Sequence, residues 1–277
     1  MKKVLMSIAT AGALFAQNLS FMPYGAYINY SDSIRDDAYI LGLYGSDKVD
    51  RLLLEGGLEY MHIDYKPSAA QDYYKQSTLT MMGTYYYQNN WAFKGGVVNI
   101  WSKTDQSSTN YDNVFKLAAQ YYEYLKYNIE GALYYSNYDN FDVYQGTLKA
   151  GQNFLIEEFA NNSFYIEAGI NQIRISKKGY APKQNYTNFD LRFDIYDPAW
   201  MASFKASMGK SAYKVANDGW IVYNLGEEYK YSVGVQWTYY IDRSSSLKVG
   251  YTRSKFNENT PKDSNADVFL LSFARAF

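Results

Sequence analysis

The chain has 277 residues, with 27 Lys and Arg against 28 Asp and Glu, no Cys, and 32 Tyr, 15 Phe and 5 Trp. The near balance of charge, without a basic block, argues against a nucleic-acid partner, and the lack of Cys excludes a disulfide scaffold. Mean hydropathy is only −0.42 in spite of the aromatic content, and beyond residue 16 no stretch approaches the ~20 apolar residues of a membrane helix.

At the N-terminus, Lys2 and Lys3 precede an apolar run over residues 4–15, with small residues at Ala11, Ala13 and Ala16. This pattern predicts a secretory signal peptide over residues 1–16, cleaved after Ala16, and leaves residues 17–277 as one domain. The exported part then reads as a series of period-two segments, in which alternate residues point to opposite faces of a strand. Tyr24, Ala26, Ile28 and Tyr30 share one face of the first. A turn over residues 32–37 leads to a strand around Tyr39, Leu41 and Leu43, and Gly45, Ser46, Asp47 and Lys48 predict a tight turn. The third strand sets Leu52, Leu54, Gly56, Leu58 and Tyr60 against Glu55 and Glu59. The fourth carries Leu79, Met81, Tyr85 and Tyr87 and stops at the hairpin signal Asn89 and Asn90. Trp91 and Phe93 open a fifth strand whose other parity, Ala92, Lys94, Gly96, Val98 and Ile100, is mixed.

Three further strands follow, around Phe115 and Leu117, around Ile129 and Leu133, and around Leu148 and Phe154, with Lys116, Glu130 and Lys149 on their polar parities. A ninth sets Phe164, Ile166, Ala168 and Ile170 against Glu167. In the tenth, Phe189, Leu191, Phe193 and Ile195 alternate with Asp190, Arg192 and Asp194, and Asp197, Pro198 and Ala199 turn it into the strand that begins at Trp200. Residues 209–227 form the longest break and hold an apolar piece over 220–223, which suits either a hairpin above a membrane or a segment folded inward. Strands around Val233 and Trp237, around Val249, and from Phe269 to the chain end complete the series. Even-numbered connections are short and most odd-numbered ones longer and polar, as an up-and-down barrel requires. The count is 14, with 12 or 16 also compatible.

The signal peptide, the alternating strands and the aromatic C-terminus resemble Gram-negative outer-membrane β-barrels. In that superfamily a C-terminal Phe in an alternating strand is the signal read by the barrel-assembly machinery, and Phe269, Leu271, Phe273 and Phe277 match it, with Arg275 departing from the usual apolar residue. The expectation is an all-β, transmembrane, up-and-down antiparallel barrel in the outer membrane, of porin-like size. Its outward face meets lipid, and Trp91, Trp101, Trp200 and Phe277 form an aromatic girdle. Charge on a lipid face is costly, so the inward, pore-lining set is Glu55, Glu59, Lys94, Lys116, Glu130, Lys149, Glu167, Asp190, Arg192, Asp194, Lys205, Lys230 and Lys248. Its near balance predicts no strong ion preference. Closing 14 strands gives a backbone diameter of roughly 28 Å and a lumen of about 10 to 15 Å, which is wet unless a loop blocks it.

The function this implies is passive diffusion of small polar solutes, with outer-membrane lipid and the assembly machinery as partners and no nucleic acid. A non-conducting barrel acting in adhesion or surface architecture through its loops, above all residues 209–227, is the alternative. A hydrolase ranks below both. His62 is a lone His at a strand's outer end, no Gly-x-Ser-x-Gly motif is present, and Asp190 and Asp194 lie about 13 Å apart on one strand face, too far for a carboxylate dyad. No enzyme activity, cofactor or metal is expected, and the strand pattern does not separate a monomer from a homotrimer.

Overall fold

A computed structural model describes residues 19–88, 90–106, 110–155, 163–258 and 262–277. The expected signal peptide, Asn89 of the fourth strand's hairpin signal and a turn that the polar residues predict over 157–162 lie outside the described residues. The strands are β1 (Ser20–Ser31), β2 (Arg35–Val49), β3 (Leu52–Tyr65), β4 (Tyr73–Tyr86), β5 (Trp91–Thr104), β6 (Asn110–Glu123), β7 (Tyr127–Tyr138) and β8 (Phe141–Leu155). They continue as β9 (Ser163–Ile175), β10 (Asn185–Tyr196), β11 (Trp200–Ser211), two short strands β12 (Val215–Ala216) and β13 (Ile221–Val222), then β14 (Glu228–Tyr240), β15 (Ser245–Asn257) and β16 (Ser264–Ala276). Apart from β12 and β13, each strand pairs antiparallel with its chain neighbours. The series closes where β1 meets β16, with Tyr24 opposite Ser272 and Tyr30 opposite Ala266. The result is a closed 14-stranded up-and-down barrel. Closure gives every strand two partners and leaves no open edge.

One expected turn is a strand. Gly45, Ser46, Asp47 and Lys48 continue β2, with Gly45 between Phe21 and Gly56, and the chain reverses instead at Asp50 and Arg51. Asp50 takes the left-handed conformation, φ 52°, which Asp tolerates better than most residues. The polar run stays extended because its side chains find partners: the Ser46 and Ser20 hydroxyls lie 2.7 Å apart, and the Lys48 ammonium sits 5.3 Å from the centre of the Tyr86 ring.

The outward parities are apolar and exposed to an extent foreign to a water-facing surface. Leu117 on β6 is 71% exposed and Leu133, its partner on β7, is 69% exposed, and Leu41, Leu58, Leu148, Leu191, Val233 and Leu271 extend the same face around the barrel. Hydrophobic residues also fill part of the interior. Three buried clusters line the half of the lumen away from Ser20 and Ala276: one around Val98, Ile100 and Val114, one around Val143, Ile173 and Ile175, and one around Ile28, Ile63 and Phe256. A barrel with a uniformly wet lumen has no use for these inward aliphatic groups. They are covered by the connection between β11 and β14, residues 212–227, which turns into the barrel.

Candidate functional site in the barrel lumen

The connection over 212–227 chooses the inward of the two paths that its sequence left open. Ala212 and Tyr213 pack with Tyr138, Phe141 and Ile173; Val215, Trp220 and Val222 pack on Val98, Ile100 and Val114; Leu225 reaches Ile63 and Phe256. Gln145 of β8 holds the short β12 strand in the manner of a third strand: its amide donates to the Val215 carbonyl and its carbonyl accepts from the Val215 N–H, both at 2.8 Å. These bonds satisfy backbone groups that would otherwise be buried unpaired. Gly57 of β3 makes room for Trp220, whose Cζ3 lies 2.7 Å from where a Cβ would stand, and Gly219 (φ 99°) reverses the chain beside Met82.

At the outer end, the connection is fastened by Arg35 of β2. Its guanidinium, 5% exposed, pairs with Glu227 and lies 3.3 Å from Glu258, with the rings of Tyr30 and Phe256 within 6 Å of its centre. Ser33 and Ser264 donate to the same Glu258 carboxylate at 2.8 and 2.9 Å. At the inner end, the tip residue Asp218 meets the charged half of the lumen. Its Oδ1 is 2.5 Å from Lys149 Nζ and 3.6 Å from Lys116 Nζ, while Lys116 also donates to the Asp218 carbonyl at 3.2 Å. Burial alone would raise the Asp218 carboxyl, but Lys149, Lys116 and Lys94 outweigh it and hold the group well below the usual carboxylate range.

Around this tip, the expected inward residues fall into distinct environments. Glu130 bridges Lys94 and Lys149, the latter at 3.0 Å. Glu167 accepts from Tyr165 at 2.7 Å. Glu55 and Glu59 on β3 stand apart from the cations and accept from Tyr44 and Tyr24 at 2.7 and 2.8 Å. Arg192 pairs with Asp194 at 2.6 Å, and Asp194 also accepts from Tyr196 and Ser203. Asp190 turns to the inward connection, 2.6 Å from Lys214 Nζ, and to Asn171 at 2.7 Å. Lys205 and Lys248 point to the same interior, with no hydrogen bond or ion pair among the described residues. Lys230 lies elsewhere: it is the extra residue of a β-bulge in β14, and its ammonium goes to Asp263 in the outer β15–β16 connection, at 2.6 Å. Below Asp218 a polar cavity of about 290 Å³ opens, walled by Lys94, Glu130, Lys149, Glu167, Arg192 and Tyr196.

The aromatic residues occupy strand ends on the outer surface. Trp91 stacks along Phe93 and meets Tyr121 edge-on, and Trp200 stacks on Trp237 with centroids 4.4 Å apart, both at the end where β1 begins and β16 finishes. Trp101 lies toward the opposite end, between Ser77 and Tyr111. Phe269, Leu271 and Phe273 face outward on β16, and the Phe277 N–H donates to the Leu19 carbonyl at 2.9 Å, tying the end of the last strand to the residue before β1. The Arg275 guanidinium lies 5.6 Å from the centre of the Phe277 ring. His62 sits between the rings of Tyr39 and Tyr73, with Asp64 Oδ1 2.9 Å from its Nε2. Among the described residues, no group of three or more His, Asp or Glu is placed to hold a metal ion.

Sequence reasoning missed Asp218 and Lys214 as lumen residues. The signal for them was indirect: the long break carries apolar Val215, Trp220, Val222 and Leu225, and the inward parities of β3, β5 and β6 carry apolar Ile63, Val98, Ile100 and Val114 that need cover.

No protein-family model and no curated protein matches the chain in sequence. Solved structures match it in fold. A bacterial polysaccharide outer-membrane secretin superposes with a TM-score of 0.60 at 8% identity, covering 94% of this chain and 98% of that one. CymD, a monoaromatic hydrocarbon channel, gives 0.58 at 9% identity, over 95% and 90% of the two chains. The Pseudomonas putida toluene transporter TodX gives 0.54 at 8% identity, over 93% and 88%. The chain thus has the fold of the Gram-negative outer-membrane β-barrels. At such identities the likeness extends to architecture alone, and substrate has to be argued from the lumen.

Proposed function

We propose that the protein is an outer-membrane channel for passive diffusion of small polar solutes, narrowed by its own inward connection. The observation that carries this reading is the two-sided barrel wall: an outer face rich in exposed apolar side chains on every strand of the ring and, toward the end that carries Ser20 and Ala276, an inner face of charged groups around an open polar cavity. Hydrocarbon satisfies no backbone hydrogen bonds, and a closed barrel needs none from it. The apolar outer face has its natural solvent in lipid. Two of the fold neighbours are described as carrying monoaromatic hydrocarbons, whereas the Lys, Glu and Arg groups of this lumen suit polar solutes. Export through a signal peptide at residues 1–16 and recognition of Phe269, Leu271, Phe273 and Phe277 by the assembly machinery complete the proposal.

Planar-bilayer recording tests it, using the full-length barrel and a variant in which residues 215–224 are replaced by a short Gly-Ser link. Heat-modifiable gel mobility verifies that each is folded. The wild type is expected to give small unitary steps and the shortened variant steps several-fold larger. Silence from both would sink the channel reading and favour the alternative, a non-conducting barrel, which draws on the filling of the outer half of the lumen by residues 212–227. That alternative loses one of its premises: the connection expected to act outside the barrel is folded within it.

A further inference from the structure

The charges that balance in the sequence do not balance in space. Each acid near β10, β11 and β15 is already engaged: Asp194 is fully buried and shared among Arg192, Tyr196 and Ser203, and Glu167 accepts from Tyr165. Opposite Arg192 in the strand register stands Lys205, and Lys248 projects from β15 at a similar height above the turns. The three cations act on one another electrostatically, and neither lysine has an anionic partner in contact. Between the lysines, β14 contributes Gly234, the register partner of Lys205, against which the Thr252 hydroxyl packs, and Thr238, the register partner of Lys248. Two buried polar atoms at this place lack hydrogen-bond partners, Arg192 Nε and Thr238 Oγ1. Glu55 and Glu59, each bonded to a tyrosine hydroxyl, are on β3, seven strands around the barrel from β10.

Two ammonium groups without an anion in contact, beside a guanidinium that keeps one N–H unpaired and an unpaired hydroxyl, are half of an interaction. The half that is missing is an anion with several acceptor oxygens, because an oxyanion alone can take two ammonium groups, a guanidinium N–H and a hydroxyl at once. We propose that Lys205, Lys248 and Arg192, with Thr238, form a binding station for a small oxyanion, the carboxylate or phosphate of a passing solute. Resting on the channel reading, this names the class of solute: small organic acids or phosphorylated compounds are concentrated at the inner mouth before or after they pass the connection.

Two measurements on the same folded barrel in nonionic detergent or lipid test it. The first is calorimetric binding of inorganic phosphate and of acetate to the wild type, to Lys205→Gln/Lys248→Gln and to Lys126→Gln, a control at an exposed turn outside the site. Saturable binding by the wild type and by the control, weakened tenfold or more in the double variant, is expected. The second is the reversal potential in a salt gradient, where the double variant should lose anion-over-cation permeability by about threefold or more, as removal of two lumen charges a few ångströms from the ion path implies. No binding of either anion by the wild type, or binding unchanged in the double variant, overturns the station while leaving conductance to judge the channel. A barrel that binds phosphate through these lysines but never conducts keeps the station and removes the channel.

Discussion

Replacing Asp218 with Asn removes the charge at the tip of the inward connection while keeping its shape and an acceptor oxygen. Two ammonium groups lose an attraction, Lys149 at 2.5 Å and Lys116 at 3.6 Å, whereas the bond from Lys116 to the Asp218 carbonyl at 3.2 Å survives. In a water-like lumen each of these pairs is worth about 1 to 2 kcal/mol before screening by salt. The Asp218 side chain is 41% exposed and Lys149 keeps Glu130 at 3.0 Å, so the net loss of docking free energy should be nearer 1.5 kcal/mol, about tenfold in the undocked population. The assay is twofold: the open fraction in single-channel records, and tryptic cleavage after Lys214, whose side chain is 5% exposed while the connection is docked. Both should rise about tenfold in Asp218→Asn. The pH dependence follows with its sign. A carboxyl depressed in the docked state contributes stability that is fully present above the free Asp value of about 4 and is lost as pH falls through the lower docked value. From pH 8 to 5 the wild type should therefore hold a constant open fraction, with undocking setting in only in stronger acid. Equal gating and equal cleavage in wild type and variant would refute this account of what holds the tip.

Other consequences follow from the same packing. Arg35→Met leaves Glu227 and Glu258 buried without their cation at the outer fastening, at a cost of about 3 to 5 kcal/mol, which should appear as a lower heat-modifiability temperature and an earlier loss of protection at Lys214. Gly57→Ala must push Trp220 aside, since the new Cβ would stand 2.7 Å from its Cζ3, and should loosen the connection; Gly131→Ala, with nothing within 4 Å, should be silent in the same protease assay. Leu117→Arg places a charge on the outward face in mid-strand, at a cost of about 2 to 4 kcal/mol if that face meets hydrocarbon, measured by denaturant unfolding in lipid vesicles. A neutral result for Leu117→Arg would count against burial of this face in lipid.

Local alternation carried most of the architecture. In β10, Phe189, Leu191, Phe193 and Ile195 must share one face and Asp190, Arg192 and Asp194 the other, because the pleat has a period of two. Strand order followed from short connections, which permit only antiparallel neighbours. The terminal strand was legible down to its pairing with β1. Where the reading failed, the cause was polarity taken as a turn: Ser46 and Lys48 remain in β2 because a cross-strand and a ring contact satisfy them, and Asp47 between them stays in the ladder opposite Leu54. The mixed parity of β5 also has a physical source. Lys94 stands in the wet half of the lumen, while Val98 and Ile100, on the same face two turns of the pleat higher, stand under Val215 and Trp220.

Which residues face inward is a local property, set by the alternation of each strand, and the sequence by itself determined it along with the closing pair, while the closed ring decided for 14 strands over 12 or 16. Which inward charges find partners is a property of closure. Asp190 and Lys214 are 24 positions apart, Lys149 and Asp218 69, and Arg35 and Glu227 192, and no period relates them. Only the folded barrel decided that the long connection turns inward, because the inner aliphatic groups of five or more strands form one apolar surface only after the ring has closed. The same closure left Lys205 and Lys248 facing each other without an acid between them.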